Sequence, residues 1–300
     1  MNPSRHQTVW KDWLLPPAVQ RWRRRRHILG RFRKPPTAGE AETLARNERF
    51  RNRHAGRRCF VIGNGPSLAN EDIAPLRDEI TIVMNSFHRH PVLSLWKPTY
   101  YCRADPGPSF DTPERVRTIR EYVEPVAPQA CMFAISLRPV IEAHGVLPPD
   151  RVFYFRGVCD LAEWPADVYE PDFTRGIPYP GNTGHLAILF AMFLGCSPIC
   201  LLGMDHDYLA HRSVSRHFYP ASADDCGGDD DLGTYTYMEM MRQQVREWER
   251  YEVLRAIAAR RGCAILNATA GSFLDLFPRV SFGNLVAVNA PAGGSAGIAD

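Results

Sequence analysis

Polar residues stand at the points where four apolar, strand-like segments of the chain end. They are Asn64 after CFVIG, Asn85 after ITIVM, Asp105 after TYYCRA and Asp205 after ICLLGM. The carboxyl ends of parallel strands share one edge of a sheet, and ligands of open α/β sheets bind there. We therefore expect these side chains to line a polar crevice, where an aspartate could hold a ligand hydroxyl, bind a metal ion or simply cap a helix.

The first of these strand ends reads GNGPSL at 63–68. Gly63 and Gly65 can adopt positive φ angles and let the backbone approach a ligand closely. Pro66 suits the first turn of a following helix, whose free N–H groups attract phosphate. Asn64 and Ser67 can donate hydrogen bonds to ribose or phosphate, although a tight turn capped by a serine explains the same letters. The stretch is neither GxGxxG nor a P-loop, so it predicts no NAD fingerprint and no Walker lysine.

A second glycine-containing turn lies in YPGNTGHLAILFAMFLGCSPICLLGMD at 179–205. Asn182, Thr183 and Gly184 precede or begin an apolar helix, so they offer a second helix N-terminus for an anion or a sugar hydroxyl. The strand that follows this helix ends at Asp205. We expect both turns to lie on the same edge of the sheet.

Residues 206–233 are too long and too polar for an ordinary connection and are interpreted as a lid over the site. His217 is a candidate general base because histidine titrates near neutral pH. Tyr208, Arg216 and Tyr219 are candidates for contacts to a leaving phosphate. His206, Asp207 and His211 could form a metal site, although loop histidines are more often surface residues.

The alternation of strands and helices predicts an α/β domain over 57–288 with a doubly wound, mostly parallel sheet. Strands are predicted at 59–63, 80–84, 99–104, 131–136, 152–155, 198–203 and 262–267. Helices are predicted after Ser67 and at 113–126, 184–195 and 234–262. The helix at 184–195 is apolar almost all round and should be internal.

Positive charge is concentrated at the start of the chain. Residues 1–58 contain 16 Arg and Lys against 4 acidic residues, whereas the rest contains 20 against 29. The basic N-terminal arm, 1–56, includes RWRRRRHILGRFRK at 21–34, which could contact an anionic membrane surface or remain a solvated arm. The net acidic body does not favour a nucleic-acid partner.

The remaining composition indicates a cytoplasmic protein. The chain has eight cysteines without a CxxC pair, and several lie in apolar segments, which is typical of reduced thiols rather than structural zinc or disulfides. We find no apolar run long enough for a membrane span and no secretory signal. The tail at 289–300 is predicted to be disordered, and short helices are possible within 1–56.

These motifs together resemble two related groups of proteins. GNGPSL after a first strand, the Asn that ends the second strand, and TGHLAILFAMFLGCSPICLLGMD resemble the bacterial sialyltransferases of glycosyltransferase family 42. The same motifs resemble the DUF115 proteins, which include flagellin-modifying motility-accessory-factor glycosyltransferases and MptE-like diphosphokinases. The resemblance covers roughly 59–277 and implies a Rossmann-like, GT-A-variant fold.

The resemblance also implies a nucleotide site and assigns roles to residues. The nucleotide-binding positions would be Asn64, Gly65, Pro66, Ser67, Asn85, Thr183 and Gly184. His217 would be the base, with Tyr219 or Tyr208 on the leaving phosphate. The sialyltransferases have Asn-Pro-Ser after the third strand, whereas this chain has Asp105-Pro106. Asp105 opposite Asp205 could therefore hold Mg²⁺, which favours the DUF115 side.

Three functions follow as hypotheses. The first is a glycosyltransferase that takes a sugar from a nucleotide-activated donor, such as a CMP-nonulosonate, and transfers it to a surface glycan or glycoprotein near the inner membrane face. The second is Mg²⁺-dependent diphosphate transfer from ATP. The third is a non-catalytic scaffold that binds a nucleotide sugar. The donor, acceptor, stereochemistry and oligomeric state do not follow from the sequence.

Overall fold

The chain folds around parallel strands and flanking helices in this computed structural model. The strands are β1 (Cys59–Ile62), β2 (Ile80–Met84), β3 (Tyr100–Arg103), β4 (Ala130–Ala134), β5 (Val152–Phe155), β6 (Gly157–Asp160), β7 (Ile177–Tyr179), β8 (Ile199–Leu202) and β9 (Ile265–Asn267). The α-helices are α1 (Ala38–Ala45), α2 (Pro113–Val126), α3 (Arg138–Ala143), α4 (Thr183–Phe193), α5 (Tyr237–Arg260) and α6 (Phe282–Ala287). Short 3₁₀ helices span Arg46–Phe50, Pro66–Asn70, Ala74–Asp78, Asn85–Arg89, Pro91–Ser94, Ile135–Leu137 and Leu161–Glu163.

The structure describes 35–104, 113–145, 147–210, 217–219 and 236–287, together with positions 16, 19, 26 and 30; of 113–118 it describes the backbone alone. Several sequence predictions lie outside these residues. They concern Asp105, His211, Arg216, most of the lid, the tail 289–300, and the basic segment 21–34 apart from positions 26 and 30.

The main sheet has the order β5-β4-β3-β2-β1-β8-β9, and all its pairings are parallel. From β1 the chain builds the sheet outward to β5, then returns to place β8 on the other side of β1. The predicted doubly wound α/β sheet is therefore confirmed. The strand order reverses between β1 and β8, which is the position where open α/β sheets bind ligands.

The strands are apolar because helices cover both faces of the sheet. Every residue of β1, β2, β4, β5 and β8 is buried. Val61 and Ile82 face α4 and α5, whereas Phe60 and Val83 face α2 and α6. The helix predicted to be internal is α4, and all of its residues are buried. This three-layer packing explains why the strands have no alternating pattern.

Part of the predicted N-terminal arm packs against the sheet. The α1 helix begins with a capping box between Thr37 and Glu40. Beyond it, the Asn47 Nδ2 donates to the carbonyl oxygens of Tyr154 and Phe173, each at 2.8 Å. The ring of Phe50 is also buried in the core. The packed domain therefore begins before the boundary that the sequence placed at residue 56.

Two local features were not anticipated: a second, small sheet and a 3₁₀ helix in place of an α-helix. The β6 and β7 strands form a separate two-stranded parallel ribbon, which is too short to show in the sequence pattern. The helix expected after Ser67 is a 3₁₀ helix, Pro66–Asn70, rather than an α-helix.

The cysteines within the described ranges, seven in number, are free thiols. No helix among the described residues is long and apolar enough to cross a membrane.

Candidate functional site

A cavity of about 240 Å³ lies at the carboxyl edge of the sheet, where β1, β2 and β8 end and α4 begins. We call it the carboxyl-edge cavity. Its lining includes most of the predicted site. The lining residues are Gly63, Asn64, Gly65, Met84, Asn85, Asn182, Thr183, Gly184, Gly203, Met204, Asp205, His206, Asp207, Tyr208, His217 and Tyr251. The three segments 63–65, 84–85 and 182–184 therefore converge, as the sequence predicted.

The glycines of the first turn allow two strand ends to approach each other. A Cβ on Gly63 would lie 2.3 Å from the carbonyl oxygen of Gly203, and one on Gly65 would lie 1.8 Å from Asp205 Oδ2. Gly203 itself has φ +62°, a left-handed conformation that favours glycine. The sequence analysis assigned this close approach of the backbone to a ligand. In the structure the residues after β8 make it instead.

Asp205 holds the GNGPS turn. Its Oδ1 accepts from the Ser67 backbone N–H at 2.9 Å, and its Oδ2 accepts from the Ser67 hydroxyl at 2.8 Å. Burial raises the pKa of Asp205 above its ordinary value, and the two Ser67 hydrogen bonds oppose that rise. Ser67 is therefore engaged by a carboxylate, so the ribose or phosphate contact predicted for it has a competitor within the fold.

Asn85 and Thr183 join the ends of β2 and β3 to the start of α4. The Thr183 hydroxyl donates to Asn85 Oδ1 at 3.0 Å and accepts from the backbone N–H of Ala104 at 3.2 Å. Asn85 has φ +47°, a left-handed conformation that asparagine tolerates better than most residues. The Tyr101 hydroxyl donates to the backbone carbonyl oxygen of Asn85 at 3.0 Å. This wall of the cavity is consequently fixed in position before any ligand binds.

Asn64 presents an amide oxygen that nothing in the described chain satisfies. Its Nδ2 donates to the carbonyl oxygen of Met84 at 3.1 Å, which fixes the amide, while Oδ1 is buried without a partner. The residue is only 7% exposed. A buried unpaired acceptor costs roughly 1–3 kcal/mol. A donor group on a ligand could supply the missing hydrogen bond.

Asn182 caps α4 and is held by the long helix α5. Its Oδ1 accepts from the His185 backbone N–H at 2.9 Å, and its Nδ2 donates to Glu247 Oε2 at 2.6 Å. Glu247 also pairs with Arg250, which forms two hydrogen bonds to Asp160 at 3.1 and 2.9 Å. Both ends of the Asn182 amide are thus engaged, and its main effect on the cavity is to orient the α4 N-terminus.

His206 and Tyr251 form a hydrogen-bonded pair on the cavity. The distance from His206 Nε2 to the Tyr251 hydroxyl oxygen is 2.8 Å, and Tyr251 is fully buried. The sequence offered His206 as a metal ligand or surface residue and did not single out Tyr251. The available signal was helical spacing, because Tyr251 shares one face of α5 with the buried Leu254 and Ala258.

The lid residues 217–219 are attached through the backbone, since the Phe218 N–H donates to the carbonyl oxygen of Asn64 at 2.9 Å. His217 and Tyr208 line the cavity. Tyr219 instead lines an adjoining groove, where the Arg89 guanidinium lies 4.8 Å from its ring centroid. His217 and Tyr219 stack with their ring centroids 4.9 Å apart.

The described lining of the cavity carries two carboxylates, Asp205 and Asp207, and neither lysine nor arginine. The N-terminus of α4, a helix of 11 residues, adds the partial positive charge of its aligned peptide dipoles. Within the described ranges, no group of three or more His, Cys, Asp or Glu side chains could hold a metal ion. Because both oxygens of Asp205 already accept from Ser67 and Asp105 lies outside those ranges, the Mg²⁺ site remains a prediction.

Comparison with known proteins finds similarity among solved structures alone. No protein-family model matches the chain, and no curated protein does. The sialyltransferase CstII from Campylobacter jejuni, in complex with the substrate analogue cytidine-5'-monophosphate, is 13% identical, with 76% of this chain and 86% of that chain covered and a TM-score of 0.45. The sialyltransferase CST-II in complex with trisaccharide acceptor and CMP is 14% identical, with 75% and 86% covered and a TM-score of 0.44. Identities this low do not assign a substrate or a reaction to this chain.

Proposed function

We propose that the protein is a glycosyltransferase that uses a nucleotide-activated sugar. The observation that carries this proposal is the convergence of 63–65, 84–85 and 182–184 around one polar cavity at the switch point of the sheet. The α4 N-terminus is suited to a phosphate, and the unpaired Asn64 Oδ1 is suited to a donor on a base or ribose. The fixed amides and hydroxyls around them supply the orientation that a transferase requires.

The charge of the cavity favours a donor whose leaving group is a nucleoside monophosphate. Two carboxylates and no described basic side chain would repel the extra negative charge of a diphosphate. At the phosphate itself a CMP-nonulosonate carries one negative charge, whereas a UDP-sugar or GDP-sugar carries two; the carboxylate of the nonulosonate is a separate charge on the sugar. We therefore favour this donor class over UDP-sugars or GDP-sugars.

His217 is the proposed general base. In the reaction an acceptor hydroxyl oxygen attacks the anomeric carbon, the bond from that carbon to the phosphate oxygen breaks, and the nucleotide leaves with the electron pair. The acceptor proton passes to the imidazole of His217, which lines the cavity. The α4 N-terminus stabilises the charge on the departing phosphate.

The acceptor and the cellular location extend this proposal. A surface glycan or glycoprotein precursor at the inner membrane face would provide the acceptor hydroxyl, and the basic segment 21–34 would hold the enzyme near anionic lipids. Deleting 1–34 should release the protein from anionic vesicles while leaving nucleotide affinity unchanged. If the shortened protein still sediments with vesicles, the proposed membrane role is incorrect.

A panel of nucleotides tests the proposed function. We expect CMP to raise the melting temperature more than UDP, GDP or ATP. The shift is measurable, because a ligand at 100 times its Kd stabilises a protein by about 2.7 kcal/mol.

With a donor identified, His217→Ala should lower kcat about 10² to 10⁴-fold. His144→Ala, which removes an exposed histidine, is the matched control. Nucleotide binding without turnover for any donor would favour the scaffold hypothesis.

The diphosphokinase hypothesis makes opposite predictions in the same assay. It requires ATP binding and Mg²⁺ on Asp105 and Asp205, so EDTA should abolish activity. The glycosyltransferase that we propose should bind CMP with equal affinity in EDTA and in Mg²⁺. A preference for ATP with Mg²⁺ would replace our proposal with the diphosphokinase.

A further inference from the structure

The His206–Tyr251 pair lies on the cavity but has no role in the reaction as proposed above. His206 has φ +55°, directly after the aspartate that holds the GNGPS turn. Its ring packs edge-on against Tyr251 and Trp248, with centroids 5.2 and 5.6 Å away. The imidazole is therefore fixed by two residues of α5 as well as by its own backbone.

The hydrogen bond of the pair determines where its protons lie. Burial raises the pKa of Tyr251 far above its ordinary value, so its hydroxyl stays protonated. An imidazole is mostly neutral at pH 7.5, which lies above its ordinary pKa of about 6.5. A neutral imidazole has one acceptor nitrogen, and Nε2 lies 2.8 Å from the tyrosine hydroxyl. With Tyr251 donating to Nε2, the ring proton is on Nδ1.

That second ring nitrogen is available to a ligand. Among the described residues Nδ1 of His206 has no hydrogen-bond partner, and the residue is partly exposed on the cavity lining. The ring lines the same cavity as Thr183 and Gly184 at the α4 N-terminus. An Nδ1–H group at this position is an uncharged hydrogen-bond donor. The carboxylates of Asp205 and Asp207 on the same cavity repel a phosphate, so a donor is needed to hold it there.

We propose that His206 donates its Nδ1–H to the phosphate of the bound nucleotide, and that Tyr251 is a positioning residue that holds this tautomer. The inference rests on the proposed function and adds a phosphate contact to it. A neutral N–H donor stabilises the phosphate without requiring a cation. The neutral histidine of triosephosphate isomerase polarises a substrate oxygen in the same way. The contact should strengthen as the glycosidic bond breaks and charge accumulates on the phosphate.

Two substitutions separate the two ring nitrogens. The side-chain nitrogen of His206→Asn occupies roughly the position of Nδ1, whereas that of His206→Gln corresponds to Nε2. Titration calorimetry at pH 7.5 with CMP and with cytidine as probes measures the phosphate contribution. We expect His206→Gln to weaken CMP about tenfold and His206→Asn by no more than about threefold, because a hydrogen bond to a charged group is worth about one order of magnitude. Cytidine affinity should not change in either variant.

The role of Tyr251 is tested by Tyr251→Phe, with Tyr237→Phe as the control because Tyr237 is an exposed tyrosine on the same helix. Imidazole ¹⁵N chemical shifts report the tautomer directly. We expect His206 to be protonated on Nδ1 in the wild-type protein and to lose that preference in Tyr251→Phe. CMP affinity should fall about threefold while cytidine affinity stays constant, a result that a purely structural role would not produce.

The outcomes distinguish this inference from the function on which it rests. Equal losses of CMP and cytidine affinity in His206→Gln, or an Nε2–H tautomer in the wild-type protein, would overturn the phosphate contact and leave the glycosyltransferase proposal standing. A wild-type protein that binds neither CMP nor cytidine would overturn both. Tighter binding of CMP by His206→Gln than by His206→Asn would also contradict the assignment.

Discussion

Two cavities lie at opposite ends of the sheet, and the smaller one is the better candidate site. The carboxyl-edge cavity has a volume of about 240 Å³, whereas the amino-end cavity, beside the start of β5, has about 510 Å³. In the larger cavity Arg46 and Arg120 already donate to the carbonyl oxygens of Pro149 and Gly145. In the smaller one, the ends of three strands and a helix N-terminus present amides, hydroxyls and imidazoles. The carboxyl-edge cavity is therefore the candidate site because of its position in the topology and its polar groups, and not because of its volume.

The largest effect should come from Gly65, in the turn after β1 that packs against the end of β8. Gly65→Ala places a methyl group 1.8 Å from Asp205 Oδ2, so the turn must move. We expect a loss of about 3 kcal/mol in the free energy of unfolding, measured with urea, and no detectable CMP binding. Gly39→Ala is the control, because nothing lies within 4 Å of its added Cβ. A stable Gly65→Ala protein that binds CMP would mean that the contact between this turn and Asp205 can rearrange without loss of the cavity.

The Asp205 carboxylate should give the next largest effect. Asp205→Ala removes both hydrogen bonds to Ser67 and should cost about 2 kcal/mol of unfolding free energy. The exposed Asp150→Ala should change stability by less than about 0.5 kcal/mol. Equal effects at the two positions would show that Asp205 does not hold the turn.

The same carboxylate gives a pH dependence with a defined sign. The pKa of Asp205 is raised above its ordinary value of 3.8, so the folded state binds this proton more tightly than the unfolded state. Its contribution to stability therefore decreases as the pH rises from about 3.8 through the folded-state pKa, and is constant above it. Urea unfolding of Asp205→Asn should lack this decrease. A steeper decrease in the variant would contradict the direction of the shift.

Asn64→Ala should have a smaller effect on stability, because it removes the unpaired Oδ1 together with the Nδ2 hydrogen bond to Met84, and its main effect should be on ligand binding. We expect a loss of about tenfold in CMP affinity by calorimetry, which corresponds to one hydrogen bond of about 1.4 kcal/mol. Asn70→Ala, an exposed asparagine in the adjacent 3₁₀ helix, is the control. Unchanged CMP affinity in Asn64→Ala would indicate that its unpaired oxygen does not face the nucleotide.

The smallest effect should appear in the amino-end cavity. The Tyr154 hydroxyl is buried there without a hydrogen-bond partner within the described chain. Tyr154→Phe removes an unsatisfied group and should leave the unfolding free energy unchanged or raise it by about 0.5 kcal/mol. A marked destabilisation would reveal a bound partner for the hydroxyl, and the larger cavity would then also qualify as a site.

The sequence determined the sheet and the edge of the sheet at which the candidate site lies. Uninterrupted apolar segments such as CFVI and ICLL predict strands buried on both faces, and an apolar helix such as α4 has to be internal. These conclusions depend on the composition and the hydrophobic period of each segment taken alone. They need no knowledge of which segments contact each other. Asn64 and Asn85 could be placed on one edge of the sheet because parallel strands have their carboxyl ends together.

Only the tertiary structure decided what each polar group contacts. Asp205 accepts from Ser67, which is 138 residues away in the chain, and His206 pairs with Tyr251 on a helix whose buried face looked like ordinary core. Gly65 is required because a carboxylate from another strand occupies the space of its Cβ. Hydrogen bonding depends on distance and direction in space, and neither quantity is encoded in the spacing of residues along the chain.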